Sequence, residues 1–488
     1  MKLADLLRGL AKRGQLVEVV GPLPADVESV TTDSRCVAQG ALFCAIDGLT
    51  ADGHDYVGDA VKKGAVAALV CKRCPAPIPQ ILVGDSRVAA SVAAAMYYRS
   101  PAADLRVVGV TGTNGKSTTV AYLHHMLNFA GTAGSVGTLG SVDGAGEKLA
   151  DASKLTTPDP VSLHRTLADL HSRGVRTVAL EVSSHALDQK RMASVGFHVG
   201  VYTNITHEHL DYHGDLGRYL EAKLSFSGYV LDGGAEVVNG DVKLWRSLAV
   251  RPELKRVTYG MSEGADVRAK DIRLRADGTS FDLELGGTKT SVAAAMIGEF
   301  NVSNALAASA AAWTMGMSPS EIAARLVDAP PIPGRMEVLT RGSFVIVRDY
   351  AHTPDAYRLV LGTLRQGTRG RLVIVFGCGG DRDRRKRSEM GRIAAELADV
   401  VILTTDNPRT EDPERIVSDI EEGMQGVAHM RVAERAEAIN RAIGLLREGD
   451  TLLLAGKGHE DYQLIGSERI PFDEATIVRE ALVVRGTE

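Results

Sequence analysis

The stretch from Leu105 to Ala130, LRVVGVTGTNGKSTTVAYLHHMLNFA, constrains the fold more than any other part of the chain. It reads as a buried strand (Leu105 to Val110), a glycine-bearing turn and a helix (Lys116 to Ala130), the order that a phosphate-binding loop requires. In the pattern G-x-x-x-x-G-K-[ST] the last three positions fall on Gly115, Lys116 and Ser117, but the first glycine falls on Val110, so one glycine is missing. The chemistry survives that gap. Backbone N–H groups close around a polyphosphate at a helix N-terminus, the lysine reaches the terminal phosphates, and the Ser117 hydroxyl ligates Mg²⁺. A glycine-rich turn with a solvated lysine has no need of strand, glycines, lysine, hydroxyl and helix in one register. A nucleoside triphosphate is therefore the expected ligand.

Around this loop, short runs of Val, Ile and Leu alternate with helical patterns, which predicts an α/β fold with largely parallel sheets. The chain is 488 residues long with 44% hydrophobic residues, enough for several cores. Three blocks separate. Residues 1–100 carry the strands GALFCAIDG and GAVAALVC and the helix SRVAASVAAAMYYRSP. Residues 101–334 open with the phosphate loop and run to DAPPIPGRME, where Pro330, Pro331 and Pro333 suit a linker. Residues 335–488 hold the strands SFVIVRDY, RLVIVFGCGG, VVILTTDNP and TLLLAGKG, each ending in a polar or glycine-rich tail. In open α/β sheets ligands bind beyond the carboxyl ends of strands, so these tails are candidate site loops.

Several classes are disfavoured. A formal net charge of −5 argues against bulk electrostatic binding of nucleic acid. The N-terminus MKLADLLRGLAKRG spaces Leu3, Leu6, Leu7 and Leu10 as a helix with Asp5, Arg8 and Lys12 between them, unlike a signal peptide. No later stretch reaches a membrane-spanning length free of charge, so a cytoplasmic protein without membrane insertion is expected. Of five cysteines, Cys71 and Cys74 form one C-x-x-C; a zinc site would want a second pair, and free thiols are expected.

Two strand ends in the central block carry candidate metal chemistry. TVALEVSSHALDQKR ends a strand on Glu181, and VYTNITHEHLDYHG ends another on His207, Glu208, His209, Asp211 and His213. Beside a phosphate loop a carboxylate and an imidazole suit Mg²⁺ better than zinc, and magnesium prefers oxygen, so at most one histidine is expected as a direct ligand. His207 and His213 read as hydrogen-bonded loop residues. Lys223 in YLEAKLSF, on its spacing alone, is a solvated helix lysine. In the last block, five of the six positions from Arg382 to Arg387 are basic. They follow a glycine-rich turn, so at least one guanidinium is expected to point into a site and grip a carboxylate. Asp406, Asn407 and Arg409 stand at one strand end, and Lys457, His459 and Glu460 at another.

The ordered set GVTGTNGKST, TTPDP, LEVSSHALDQKR, TNITHEHLDYHG, YLEAKLSF, GEFNVSNALAA, PGRMEV, DYAHTPD, FGCGGDRDRRKR, TDNPRTEDP and AGKGHEDYQ resembles the Mur ligase family. In that family the loop is G-T-N-G-K-[ST], so Gly112 and Gly115 suffice and Val110 stays in the strand. The resemblance implies three domains: an N-terminal UDP-substrate-binding domain (1–100), a central P-loop ATPase-like domain (101–334) and a C-terminal Rossmann-like amino-acid-binding domain (335–488). It also implies an ATP- and Mg²⁺-dependent ligase of peptidoglycan synthesis, expected as a monomer. Such an enzyme adds meso-diaminopimelate to the D-glutamate side chain of UDP-N-acetylmuramoyl-L-alanyl-D-glutamate through an acyl phosphate. L-Lysine as the incoming amino acid, a folylpolyglutamate synthetase-like ligase and a P-loop switch without ligase activity are the rival readings.

Carried over by position, the resemblance implies ATP contacts at Gly112, Thr113, Asn114, Gly115, Lys116, Ser117, Thr118, Asn301, Arg335, Asp349 and His352. Metal would sit on Ser117, Glu181, His209 and Lys223, the last as a carbamylated lysine; Lys116, Glu181, His209 and Lys223 form the implied catalytic group. The UDP substrate would meet Thr32, Ser34, Thr50, Thr156, Thr157, Ser183, Gln189 and Arg191. Diaminopimelate would meet Arg382, Asp406, Asn407, Pro408, Arg409, Gly456 and Glu460. Glu208 stands where the family has Asp, which keeps the carboxylate.

Overall fold

The computed structural model describes residues 1–48, 51–150, 155–206, 208–275 and 278–486. The chain folds as two compact units, Met1–Arg268 with Asn304–Ile322, and Ala269–Ser303 with Ala323–Glu488.

The first unit holds two sheets. The N-terminal sheet runs in the order Leu16–Val20, Gln80–Val83, Ala65–Val70, Ala41–Cys44, Ser29–Thr31, parallel except for its first pair. The expected first helix spans Leu3–Lys12 and buries Leu3, Leu6 and Leu10, with Asp5 in its first turn and Lys12 in its last, as the helix dipole favours. Asp85 caps the helix Ser86–Tyr97 by accepting from the N–H groups of Arg87 and Val88. In the second sheet Arg106–Thr111 is central, between Thr177–Glu181 and Phe197–Tyr202, all parallel. Every residue of Arg106–Thr111 beyond the first is buried, so the strand reads as a continuous apolar run rather than an alternating one. The helix after the phosphate loop ends at Leu127 rather than at Ala130, and a short 3₁₀ turn, Phe129–Gly131, follows.

Helix Pro160–Ser172 carries a histidine whose burial predicts a pH effect. His164 is fully buried and, among the described residues, neither ring nitrogen has a hydrogen-bond partner. Burial, aided by the charge of Arg13, pushes its pKa from 6.5 down to about 4. Between those values the unfolded chain takes up a proton that the folded chain refuses, so stability falls as pH drops through that window, by up to about 1.4 kcal/mol per pH unit. His164→Leu is expected to flatten the fall in melting temperature between pH 6.5 and 4.5; a slope equal to the wild type's would refute this.

The second unit contains a six-stranded sheet in the order Glu337–Arg341, Val345–Asp349, Thr451–Ala455, Leu372–Phe376, Val400–Leu403, Met430–Arg431, with only the first strand antiparallel. The hairpin Gly278–Leu285 and Thr288–Ala294 belongs to this unit. The grouping differs from the three sequence blocks, because Ala269–Ser303 and residues 323–334 pack here. Packing supplies the reason: Ile297 and Met336 enter the same core as Val347, Tyr357 and Leu361. All five cysteines are free thiols. Among the described residues, no helix is long and apolar enough to cross a membrane.

Candidate active site

In the first unit the phosphate loop is clamped by a segment some ninety residues away. Asn204 O accepts from Thr113 N (2.8 Å), Asn204 Oδ1 accepts from Asn114 N (2.8 Å), and Thr203 Oγ1 donates to Asn114 O (2.7 Å). Thr113 Oγ1 in turn meets the Tyr219 hydroxyl at 3.0 Å. Gly112 has φ +146° and Gly115 φ +85°, backbone conformations that side chains disfavour. A Cβ on Gly112 would collide with Thr203 Oγ1, and one on Gly115 with Asn304 Oδ1. The two glycines of the short pattern are thus both required, and Val110 is a buried strand residue.

Ser117 and Thr118 are buried in the first turn of helix Lys116–Leu127. Lys116 Nζ donates to Gly112 O (2.9 Å) and Thr113 O (2.8 Å). Lys223 shares that acceptor. It is buried at 1% exposure, and its Nζ donates to Gly112 O at 2.8 Å while lying over the Tyr219 ring. Burial first and the neighbouring Lys116 second hold the Lys223 ammonium well below its ordinary pKa. The solvated helix lysine that spacing alone suggests is therefore wrong. A lysine 111 residues along the chain is packed against the loop.

Glu181 stands opposite Val110 in the parallel pair of strands and is 1% exposed. Its carboxylate accepts from Thr138 N (2.7 Å) and Thr138 Oγ1 (3.1 Å), a partner that nothing in the sequence singled out. His209 is exposed, in a left-handed conformation (φ +57°), with its ring edge-on to His185. Partial desolvation of its ring among the packed residues around it, then the charges of Lys116 and Lys223, push its pKa down to about 4. His213 is buried and hydrogen-bonds the Ser184 hydroxyl at 3.0 Å, as expected of a loop histidine; His207 lies outside the described residues.

The UDP-substrate candidates divide. Thr157 Oγ1 donates to Glu181 O (2.7 Å) and lies 3.2 Å from Ser183 Oγ, and Thr138 Oγ1 contacts Thr156 Oγ1 at 3.3 Å. Arg191 reaches Thr157 O (2.7 Å) and the Gln189 side chain (2.7 Å). Thr156, Thr157, Ser183, Gln189 and Arg191 therefore join Glu181 in one network. Thr32 and Ser34 lie in the N-terminal sheet's connections, away from that network's hydrogen bonds, and Thr50 is outside the described residues.

The second unit gathers the remaining candidates at its strand ends. Asp349 ends the strand Val345–Asp349, accepts from Met336 N and Ala351 N (2.7 Å each), and has its pKa raised by burial against the pull of Arg335. Arg335 lies over the Tyr350 ring, and His352 Nδ1 is 2.9 Å from Tyr350 O. Asn301 is buried and donates to Ile297 O.

Asp406, Asn407 and Glu460 converge on Lys457. The Lys457 ammonium, fully buried, lies 3.1 Å from Asn407 Oδ1, 3.4 Å from Glu460 Oε2 and 3.6 Å from Asp406 Oδ1. Asn407 Nδ2 donates to Glu460 Oε2 (2.8 Å), and burial raises the Glu460 pKa above the usual carboxylate range. A Cβ on Gly456 would lie 2.5 Å from Asp406 Oδ2, which places that turn against the carboxylate. Arg409 follows the buried Pro408 with φ +52°, and its Nη1 donates to Gly380 O at 2.7 Å. Among the described residues its guanidinium makes no ion pair. Glu411 is taken by Arg387, which is fully buried and also holds Asp419. Arg387 is thus a structural tie, whereas Arg382 is exposed and, among the described residues, makes no ion pair.

Comparison with known proteins agrees along the chain. Residues 26–101 match the model described as Mur ligase family, catalytic domain; 110–312 match the Mur ligase middle domain; 334–458 match the Mur ligase, glutamate ligase domain. A UDP-N-acetylmuramoyl-L-alanyl-D-glutamate--2,6-diaminopimelate ligase of Geobacillus kaustophilus is 42% identical over 471 residues, covering 94% of this chain and 96% of its own. A solved structure of a ligase with that name superposes with TM-score 0.69 at 32% identity over 96% of this chain and 98% of that one. A Thermotoga maritima MurF ligase in complex with ADP shares the fold at TM-score 0.64 and 19% identity, over 93% of this chain and 96% of that one.

Proposed function

The chain belongs to the Mur ligase family, and from that premise we propose that it joins meso-diaminopimelate to the D-glutamate side chain of UDP-N-acetylmuramoyl-L-alanyl-D-glutamate, with ATP converted to ADP. The reading keeps the division into 1–100, 101–334 and 335–488, and a monomeric cytoplasmic enzyme. The observation that carries the chemistry is the meeting of Lys116 and the buried Lys223 on Gly112 O, beside Glu181. The γ-phosphoryl group passes to the D-glutamate carboxylate to give an acyl phosphate. The amine of the amino acid attacks that carbonyl and phosphate leaves. Lys116 and the loop N–H groups, on Gly112 to Thr118, neutralise charge on the moving phosphoryl group. Thr156, Thr157, Ser183, Gln189 and Arg191, with Thr32, Ser34 and Thr50, hold the UDP-linked substrate. Asn301, Arg335, Asp349 and His352 hold the nucleotide.

Mg²⁺ fits this donor set. Glu181 is a buried carboxylate, Ser117 a hydroxyl in the first turn, and among the described residues no three His, Cys, Asp or Glu side chains cluster as a closed cage. Magnesium keeps several waters and leans on phosphate oxygens, so few protein ligands suffice. Ser117, Glu181, His209 and a carbamylated Lys223 would hold it, and it would neutralise phosphate charge.

Lys223 is suited to that modification. An ammonium buried beside another ammonium is unfavourable, whereas the neutral amine takes up CO₂ and becomes a carboxylate. Lys223→Ala is expected to lose most of its activity and to regain part of it with added short-chain carboxylates. Full activity without them, read as ADP release, would refute the assignment.

The function is tested with purified protein, ATP, the UDP-dipeptide and either meso-diaminopimelate or L-lysine. ADP formation is expected to require both the UDP-dipeptide and meso-diaminopimelate. Hydrolysis indifferent to both would make the protein a P-loop switch, and equal use of lysine would overturn the choice of amino acid.

A further inference from the structure

Behind the Asp406–Glu460 cluster lies a pair of charges that the proposed reaction does not touch. Arg435 and Glu474 are both 0% exposed and meet at 2.7 Å. Each opens a helix, Arg435–Leu445 and Glu474–Arg485. Such a pair adds little stability, because the desolvation of two ions offsets their attraction and two apolar side chains fill the space as well. Its contacts point toward the site instead. Arg435 Nη2 donates to Ala455 O at 2.8 Å, the last strand residue before Gly456 and Lys457. The negative charge of Asp406 also favours the Arg435 cation at longer range.

The signs then alternate: Glu474 negative, Arg435 positive, Asp406 negative, Lys457 positive, Glu460 negative. Among the described residues Arg435 Nη1 and Glu474 Oε2 have no hydrogen-bond partners, so the anchors of the pair are each other and the Ala455 carbonyl. A change at Glu474 would reach the turn that bears Lys457 through Arg435 and the Ala455 carbonyl. Without a balanced Arg435, Asp406 would be shared differently between its two cations and Lys457 drawn off Glu460.

We infer that the Arg435–Glu474 pair is a positioning element of the amino-acid site, fixing Asp406 and the Gly456–Lys457 turn for the incoming diamino acid. This rests on the function proposed above and adds two residues to it. The test compares wild type, Glu474→Gln, Arg435→Lys and the double variant R435M/E474L by melting temperature, kcat, and KM for each of the three substrates.

Glu474→Gln and the double variant are expected to raise KM for meso-diaminopimelate about tenfold or more, the scale of one lost charge-assisted hydrogen bond, with KM for ATP and the UDP-dipeptide unchanged. Arg435→Lys keeps the charge and is expected to fall between them and wild type. The double variant is expected to melt as the wild type does yet keep the raised KM. A double variant with wild-type KM for the amino acid, or equal rises for all three substrates, would overturn the inference. If the double variant does not fold, Glu474→Gln and Arg435→Lys decide by the same comparison. A wild type inactive with meso-diaminopimelate but active with another amino acid would overturn the proposed substrate alone, and the KM comparison would be made with that amino acid.

Discussion

Lys116→Ala is expected to lose nearly all turnover, with kcat down by at least about 10²–10³-fold, the usual cost of removing one preorganised charge from a transition state. The structure places the Lys116 ammonium on the carbonyls of Gly112 and Thr113, at the start of the helix where phosphate is bound. Lys223 meets the same Gly112 carbonyl, but it is fully packed and its charge is suppressed, so it does not substitute. Nucleotide binding should weaken far less than kcat, because the loop N–H groups and the helix start persist. Lys116→Arg should not restore activity, since a planar fork does not reproduce a compact ammonium. ADP release under saturating substrates, with nucleotide affinity measured separately, checks both statements. Near-wild-type turnover would end the phosphate-loop assignment.

The parts of this site that could be read in the sequence are those whose chemistry is local. Strand, glycines, Lys116 and Ser117 lie in one run. Glu181 was readable as the polar end of an apolar strand, and the strand register sets it opposite Val110. Lys223 was not readable from spacing, because its burial depends on a contact with Gly112 across 111 residues. The same holds for Thr138 on Glu181, for Thr203 and Asn204 on the loop, and for Asn304 behind Gly115. Each is an ordinary polar residue whose role exists only once two distant segments pack. The basic run from Arg382 to Arg387 shows the converse. Composition marked all five cations alike, whereas packing ties Arg387 to Glu411 and Asp419 and leaves Arg382 at the surface. The packing of Ala269–Ser303 with the C-terminal unit was hidden for a related reason: the linker prolines mark a break in the chain, not in the core.

Arg409→Ala is expected to remove diaminopimelate use while sparing ATP binding. Meso-diaminopimelate and L-lysine share an α-amino acid end and an ammonium at the far end, but only the former carries a second carboxylate there. A surface salt bridge would give Arg409 a structural role, yet its nearest acidic neighbour in sequence, Glu411, is held by Arg387 at 2.8 Å. Arg409 is instead anchored through backbone N to Leu464 O (3.0 Å) and one guanidinium nitrogen to Gly380 O (2.7 Å), so its cation is placed and, among the described residues, not neutralised. A ligand carboxylate would complete it, and Glu460, held by Asn407 and Lys457, offers the ammonium a carboxylate. Lysine would leave Arg409 partly buried without an anion, and sites built around such a group reject the shorter substrate by about 10⁴-fold or more. Truncating Arg409 should therefore cost about 10³-fold or more in kcat/KM for meso-diaminopimelate and narrow its advantage over lysine. Arg409→Lys should recover little, because a point charge does not grip a carboxylate bidentately. Competition between the two amino acids reads the discrimination directly, and comparable kcat/KM values in the wild type would refute it. Equal losses of ATP affinity and amino-acid use in Arg409→Ala would instead show that the residue only holds its loop.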